Sequence, residues 1–225
     1  DVQVSVYYQT TADDYLIAGS GILGAAPANT LLALPAVVTV APGVDTRRYG
    51  LELAVNNPIQ NDEWYYSFNA SVFNSEYRIP AENDFQPGRY AQRFSSRLLV
   101  GKEWAGVDKK GRKRAYGTNL ALLLNGGERQ PELDEIASAL DGYENDVYDY
   151  RGGFSVNAGT YFRPDLRIYK RKFREKTTTT LALDIQNVAS IGNTAYTYYD
   201  NFLNRPEERQ QLTLIPVLSY RIEWR

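Results

Sequence analysis

The side chains that could carry chemistry in this chain are of few kinds. Its 225 residues include no His, no Cys and no Met, and 27 acidic residues stand against 25 Lys and Arg. Without imidazole or thiol groups, a Ser-His-Asp triad, a Cys-His nucleophile and a thiolate zinc site are excluded. Carboxylates, Lys, Tyr and hydroxyl groups remain. The net charge of −2 gives no electrostatic reason to expect nucleic acid as a partner.

One stretch, between positions 126 and 160, combines several of these groups. Aromatic and carboxylate side chains at close spacing suit the binding of a sugar, a peptide or a metal chelate. The candidate ligand-binding residues are Tyr143, Asp146, Tyr148, Asp149 and Tyr150. The acidic positions of this stretch lack the spacing of a calcium loop, so no metal site is predicted.

A pair of carboxylates on neighbouring predicted strands, Asp165 and Asp184, is the best material for acid–base chemistry. Arg163 and Arg167 alternate with Asp165 on the same strand face. We therefore expect these carboxylates to form ion pairs with arginines, including Arg221, rather than to catalyse hydrolysis. The chain is predicted not to be an enzyme and to need no cofactor.

The elements that must position these residues are β-strands, because apolar residues recur with a period of two along most of the chain. Trp64, Tyr66, Phe68 and Val72, for example, alternate with a mostly polar set. Eight such strands are predicted. The connections between them span residues 10–46, 57–62, 77–95, 105–113, 126–160, 172–177 and 189–210.

Strand length and connection length together predict the fold class. The strands run to about 9 to 14 residues, whereas strands of soluble sandwiches have about five or six, and a tilted strand needs about 9 to 11 to cross an outer membrane. Long and short connections alternate without exception, as in barrels with long outer loops and short periplasmic turns. We therefore predict an all-β fold, an antiparallel transmembrane β-barrel with about eight strands present. An ordinary sheet with one solvated face is the alternative.

Two further segments bear on this prediction. Residues 15–44 carry no charge and are long enough for a membrane helix, but Pro27, Pro35 and Pro42 would break one, so a long outer loop is expected. Two of the short turns are basic, with Lys109, Lys110, Arg112 and Lys113 in one and Arg171, Lys172, Arg174 and Lys176 in the other. These charges are expected to be solvated turn residues rather than a nucleic-acid patch.

At the level of whole segments, the chain resembles the C-terminal barrel strands of TonB-dependent outer-membrane receptors. The ordered set that carries the resemblance is VSVYYQ at 4–9, RRYGLELAV at 47–55, WYYSFNASVFNSEYR at 64–78, RLLVGKEW at 97–104, NLALLLNGGER at 119–129, YFRPDLRI at 161–168, LALDIQNV at 181–188 and LIPVLSYRIEW at 214–224. The match spans nearly the whole chain, and its last two segments are the most specific.

The resemblance implies a 22-stranded barrel in the outer membrane of a Gram-negative bacterium, closed by an N-terminal plug. Residues 1–225 would form about its last third, with the plug and the earlier strands outside this sequence. The implied function is active uptake of a large nutrient, such as chelated iron, a vitamin, an oligosaccharide or a peptide. The implied partners are the remainder of the receptor, TonB with its inner-membrane motor, the barrel-assembly machinery and lipid. The sequence leaves open whether a surface lipoprotein caps the pore.

The end of the chain carries a second implied role. Tyr220, Ile222 and Trp224 look like the aromatic-ended signal by which the assembly machinery recognises outer-membrane proteins, although Arg225 follows where the family usually stops. A lipid-facing strand that ends in an interfacial Trp would look the same. We expect the last strand to pair with residues 178–188 on one side and with a strand outside this sequence on the other.

A complete eight-stranded barrel that acts as an adhesin or membrane anchor is the alternative function. In that case the first strand would pair with the last. The membrane interpretation also predicts which apolar residues face outward and are exposed: Val4, Val6, Leu51, Leu53, Phe68, Ala70, Val72, Leu122, Leu166, Ile168, Leu183, Leu214 and Leu218.

Overall fold

A computed structural model of the chain describes residues 1–19, 22–23, 26–27, 38–58, 64–79, 83–140 and 146–224. Its elements in chain order are β1 (Val2–Gly19), β2 (Ile22–Leu23), β3 (Ala26–Pro27), β4 (Val38–Asn57), β5 (Trp64–Arg78), β6 (Gln86–Pro87), β7 (Phe94–Val107), β8 (Lys113–Asn125), β9 (Arg129–Gln130), β10 (Glu132–Leu133), α1 (Glu135–Leu140), β11 (Tyr148–Asp149), β12 (Val156–Asn157), β13 (Tyr161–Phe173), β14 (Thr177–Gln186), β15 (Thr194–Asp200), β16 (Arg205–Gln210) and β17 (Ile215–Trp224).

Eight long strands form one antiparallel sheet in which each strand pairs with the next long strand along the chain. The order is β1-β4-β5-β7-β8-β13-β14-β17, with the short strand β3 beside β1 and β6 beside β5. This arrangement confirms the all-β, antiparallel class and the eight predicted strands. The alternation of long and short connections is confirmed too, because only residues 58–63, 108–112 and 174–176 separate the long strands at the short connections.

The first connection differs from the expected long loop. The described residues of segment 15–44 are strand: β1 continues to Gly19 and β4 begins at Val38. The two strands pair beyond the predicted boundary, with Leu16 opposite Ala41, after an irregularity between Thr11 and Asp14. Apolar alternation in this stretch supports strand pairing, which the proline and glycine content obscured. The tip of the hairpin lies outside the described residues.

The sheet is open among the residues that the structure describes. The outer edge of β1 pairs only with Ala26–Pro27, and β17 pairs with β14 alone. The first and last long strands are not paired with each other. The described strands therefore do not form the closed eight-stranded barrel that the adhesin alternative requires.

The tightest apolar packing lies at one end of the sheet rather than on its apolar face. Val44, Tyr77, Tyr150 and Phe154 form a buried cluster. The rings of Tyr77 and Tyr150 both meet the Phe154 ring edge to face, at centroid distances of 6.3 and 5.4 Å. This cluster joins β4 and β5 to the connection that follows β8, so the long connections form a packed layer of their own.

Candidate functional site

One face of the long sheet is apolar and uncovered. The register of neighbouring strands places Val6, Leu51, Val72 and Phe94 in one row across it. Every member of the outward-facing set predicted above is exposed or half-exposed, with Val6 78% and Leu218 74% exposed. That prediction is confirmed: these residues do not pack against one another in a dry core.

The apolar face is a band that crosses the strands obliquely. The end of the sheet with the short connections 58–63, 108–112 and 174–176 is called the short-turn side. There the edge of the band lies at Trp64 on β5, which the register places level with Leu218 on β17. On β17 the band instead continues to Trp224, six residues farther. Six residues are about 20 Å of strand, and the five strand spacings crossed are about 24 Å. The strands are therefore inclined by about 40° to the axis perpendicular to the band.

The opposite edge of the band shifts in the same direction by a similar amount. It lies at Tyr49 on β4 and at Pro216, the first residue of β17 on this face. Through the register Pro216 is level with Asn57, eight residues along β4 from Tyr49. Eight residues over six strand spacings again correspond to an inclination of about 40°.

Aromatic side chains mark both edges of this band. Tyr8 and Tyr49 stack with ring centroids 6.3 Å apart at the long-connection edge. The other edge carries five aromatic residues on the same face: Trp64, Trp104, Tyr116, Tyr220 and Trp224. On β5 the band runs from Trp64 to Asn74, the partner of Tyr49. Those ten residues are about 33 Å of strand and, at this inclination, about 25 Å across the band.

The other face of the sheet is polar and holds most of the charged side chains of the central strands. Asp165 accepts a hydrogen bond from Arg163 at 3.0 Å, and Asp184 accepts one from Arg167 at 2.9 Å. Arg221, on the same face of β17, pairs with Glu223 instead. The expectation that both carboxylates form ion pairs with arginines is confirmed.

Two tyrosine rings of the polar face lie over glycines of neighbouring strands. A Cβ atom added at Gly101 would overlap the Tyr65 ring, and one added at Gly117 would overlap the Tyr169 ring. At Gly50 an added Cβ would lie 2.8 Å from the Phe73 Cβ atom and 2.9 Å from the Tyr7 hydroxyl. Tyr169 donates its hydroxyl proton to Glu103 at 2.7 Å, which holds the ring along the sheet.

A groove of about 320 Å³ lies on the polar face of β1, β4, β5 and β7. Its polar lining includes Glu52, Asn69 and Arg97. Among the described residues, neither the Glu52 carboxylate nor the Arg97 guanidinium has an ion-pair partner within 4 Å. Such groups are available for hydrogen bonds to a polar ligand. These residues were not predicted as a site, although each belongs to the polar set that alternates with the apolar face.

The predicted ligand-binding residues lie in the layer formed by the long connections, and their described partners belong to that layer. The Tyr148 hydroxyl donates to the Thr197 carbonyl at 2.9 Å, and Asp146 accepts the Tyr199 N–H at 2.9 Å. Both contacts join the connection after β8 to β15. Tyr150 is 6% exposed within the apolar cluster.

Two of these side chains titrate away from their ordinary range. Burial and the nearby Asp146 carboxylate raise the pKa of Tyr148, so its phenol stays protonated and remains a donor. The Arg151 guanidinium lowers the pKa of Asp149, whose carboxylate it pairs with. Tyr143 lies outside the described residues. A ligand-binding role for these five positions stays a prediction.

The predicted assembly signal lies at the short-turn edge of the apolar face. Tyr220 and Ile222 pair with Leu181 and Thr179 of β14, and Trp224 pairs with Thr177. Trp224 is largely exposed, while Arg221 and Glu223 lie on the polar face with Asp184. The antiparallel pairing of the last strand with residues 178–188 is confirmed. Arg225 lies outside the described residues.

No protein-family model, curated protein or solved structure matches this chain. Among the described residues, no helix is long and apolar enough to span a membrane, and no three metal-binding side chains converge. The conclusions that follow rest on the geometry of the sheet and of its connections.

Proposed function

We propose that this chain is the C-terminal wall of a TonB-dependent outer-membrane receptor that takes up a large nutrient. The observation that carries the proposal is the inclined apolar band. Transmembrane barrels have strands tilted by about 35–45° and an outer apolar band about 25 Å tall between aromatic girdles. Both measures agree with this sheet. A soluble sheet would expose an apolar patch of this extent to water, which favours association and aggregation.

The open edges support a barrel larger than eight strands. Within lipid, every backbone N–H and C=O group needs a partner, and a barrel provides it by closing. Among the described residues β1 and β17 do not provide this closure for each other. Further strands of the same receptor would pair with both edges, as the resemblance to 22-stranded barrels implies.

In this proposal the polar face lines the water-filled lumen. Ion pairs such as Arg167 with Asp184 stabilise the wall, and the groove at Glu52 and Arg97 offers contacts to a passing polar cargo such as a metal chelate, vitamin, oligosaccharide or peptide. The packed connections cover the outer end. Energy would enter through the plug and TonB, and the assembly machinery would recognise Tyr220, Ile222 and Trp224.

Cysteine accessibility tests which face meets lipid, because residues 1–225 contain no Cys and any Cys in the remainder of the protein can be replaced by Ser. Ser71 and Val72 are adjacent on β5 and lie on opposite faces, with Glu52 and Leu51 as their respective partners. In outer-membrane vesicles, a small charged thiol reagent should label Ser71→Cys and leave Val72→Cys unlabelled until detergent is added. Equal labelling of both variants in the membrane would contradict the proposal.

Uptake measurements test the transport role itself. Cells with and without the gene, in backgrounds with and without TonB, are compared for uptake of labelled chelated iron, vitamin B12, oligosaccharides and peptides. One cargo class should require both the gene and TonB, and the intact gene should restore its uptake. If deletion changes the uptake of none of these classes, the transport role is wrong, even where the labelling result places the sheet in the membrane.

A further inference from the structure

The lysines of this protein are concentrated at one end of the sheet. All seven lie at positions 102–113 and 170–176. These positions belong to the β7–β8 and β13–β14 hairpins, whose inner strands β8 and β13 are neighbours. Arginines are spread along the chain, and many form ion pairs with carboxylates. By contrast, no described lysine lies within 4 Å of a described carboxylate oxygen.

Three of these lysines lie on the apolar face, at the aromatic edge of the band. Lys102 is the register partner of Trp64, and its ammonium lies 5.6 Å from the Trp64 ring centroid and 5.9 Å from that of Trp104. Lys170 is the register partner of Tyr116, with its ammonium 5.1 Å from that ring. Lys172 follows on the same face and is exposed.

This edge is positively charged where the proposed membrane-spanning band ends. An ammonium group held beside aromatic rings gains from their electron density while its protons stay available to an acceptor outside the protein. Aromatic rings and snorkelling lysines at the end of an apolar band lie at the depth of lipid headgroups. At that depth, the lipid group whose negative charge complements ammonium groups without a carboxylate partner is the headgroup phosphate.

We propose that Lys102, Lys170 and Lys172, together with Trp64, Trp104 and Tyr116, form a binding site for anionic phospholipid headgroups. The short turns 108–112 and 174–176 place the site on the leaflet opposite the packed connections. The inference rests on the proposed membrane function and goes beyond it, since a neutral bilayer would satisfy the apolar band alone.

The tryptophans make this site measurable. All three Trp residues of the chain lie on the apolar face along the short-turn edge. The full-length protein, with Phe in place of any Trp outside residues 1–225, is reconstituted into vesicles of neutral phosphatidylcholine in which a rising fraction is replaced by brominated phosphatidylglycerol or brominated phosphatidylcholine. Bromine quenches nearby Trp emission, so the two titrations give the relative binding constant of the anionic lipid at this edge.

The wild-type protein should prefer phosphatidylglycerol by at least fivefold, the effect of one lysine near an anionic surface. The variant Lys102→Gln/Lys170→Gln/Lys172→Gln should lose this preference, and the corresponding Lys→Arg variant should keep it. Lys109→Gln/Lys110→Gln/Lys176→Gln removes the same charge from the turns and should retain most of the preference. Heat-dependent gel mobility reports whether each variant is folded.

The outcomes separate the two proposals. Equal quenching by both lipids in the wild-type protein would overturn the headgroup site and leave the membrane function standing. The same conclusion would follow if the triple variant at positions 102, 170 and 172 and the triple variant at positions 109, 110 and 176 lost the preference for phosphatidylglycerol equally. If neither brominated lipid quenches Trp emission, the sheet is not in contact with lipid, and the proposed function is wrong together with the site.

Discussion

A pair of identical substitutions on adjacent leucines gives the sharpest test of the two-faced sheet. Leu98 and Leu99 both lie on β7 and are half-exposed. Leu98 pairs with Phe68 and Leu122 on the apolar face. Leu99 lies on the polar face, where its register partners are Ser67 and Ala121. The variants Leu98→Arg and Leu99→Arg therefore differ only in the face of the sheet from which the new guanidinium projects.

The expected magnitude follows from the depth of Leu98 in the band. Leu98 lies six residues from Trp104 at the short-turn edge, which is about 20 Å of strand and about 15 Å across the band at an inclination of 40°. It is therefore near the middle of a band about 25 Å tall. An arginine facing lipid at that depth costs about 2–4 kcal/mol. Leu98→Arg should lower the folding equilibrium constant at least about thirtyfold.

The assay is reversible guanidinium unfolding of the full-length protein in lipid vesicles, followed by Trp emission and extrapolated linearly to zero denaturant. Leu99→Arg should cost less than about 1 kcal/mol, because its guanidinium enters a polar environment. A cost for Leu99→Arg equal to or larger than that for Leu98→Arg would refute the assignment of the faces, whatever the absolute values.

Three further outcomes are expected. If the proposed assembly signal is correct, Trp224→Ala should lower the amount of protein inserted in the outer membrane of cells far more than it lowers the stability of assembled barrels. Trp64→Ala, at the same edge on an inner strand, should insert normally. Normal surface levels of Trp224→Ala would remove the assembly role. Gly117→Ala should cost about 1–3 kcal/mol in denaturant unfolding because its Cβ would overlap a tyrosine ring, while Gly106→Ala, with no atom within 4 Å of the added carbon, should not; equal costs would contradict the ring contact. Backbone N–H donors of its turn, together with Arg112 and Arg114, hold the pKa of Asp108 far below its usual range. The stabilisation that the Asp108 carboxylate contributes to the folded state is therefore present at neutral pH and declines as pH falls below the ordinary aspartate pKa. Asp108→Asn should remove that acid-side decline from the amide-exchange profile of the turn, and an unchanged profile would show that Asp108 does not cause it.

The strands were predictable because a sheet with one apolar and one polar face imposes the same period of two on each of its strands. Face membership follows from parity alone, so the outward set from Val4 to Leu218 and the charged set around Asp165 needed no knowledge of the register. The oblique course of the band was not predictable, because it depends on which residue of each strand pairs with which. Only the register places Trp64 level with Leu218.

The loop layer was less predictable because its packing is not periodic. The aromatic and acidic composition around Tyr150 suggested ligand contact, yet Tyr150 is buried against Phe154, and nothing in the local pattern names that partner. Asn187 is similar: it is fully buried in a left-handed conformation, where its side chain bonds to both the N–H and the carbonyl of Ile191. Such contacts join residues that only the folded chain brings together.

The two tyrosine rings that lie over glycines affect the surface shape of the proposed lumen wall. The missing Cβ atoms of Gly101 and Gly117 leave the space that the Tyr65 and Tyr169 rings occupy beside the neighbouring strand. Each ring therefore lies close to the sheet, and a large aromatic side chain adds little height to the wall there. In the proposed barrel, a plug domain or a bulky cargo would meet less steric obstruction at these two positions than at an aromatic ring that projects from the wall.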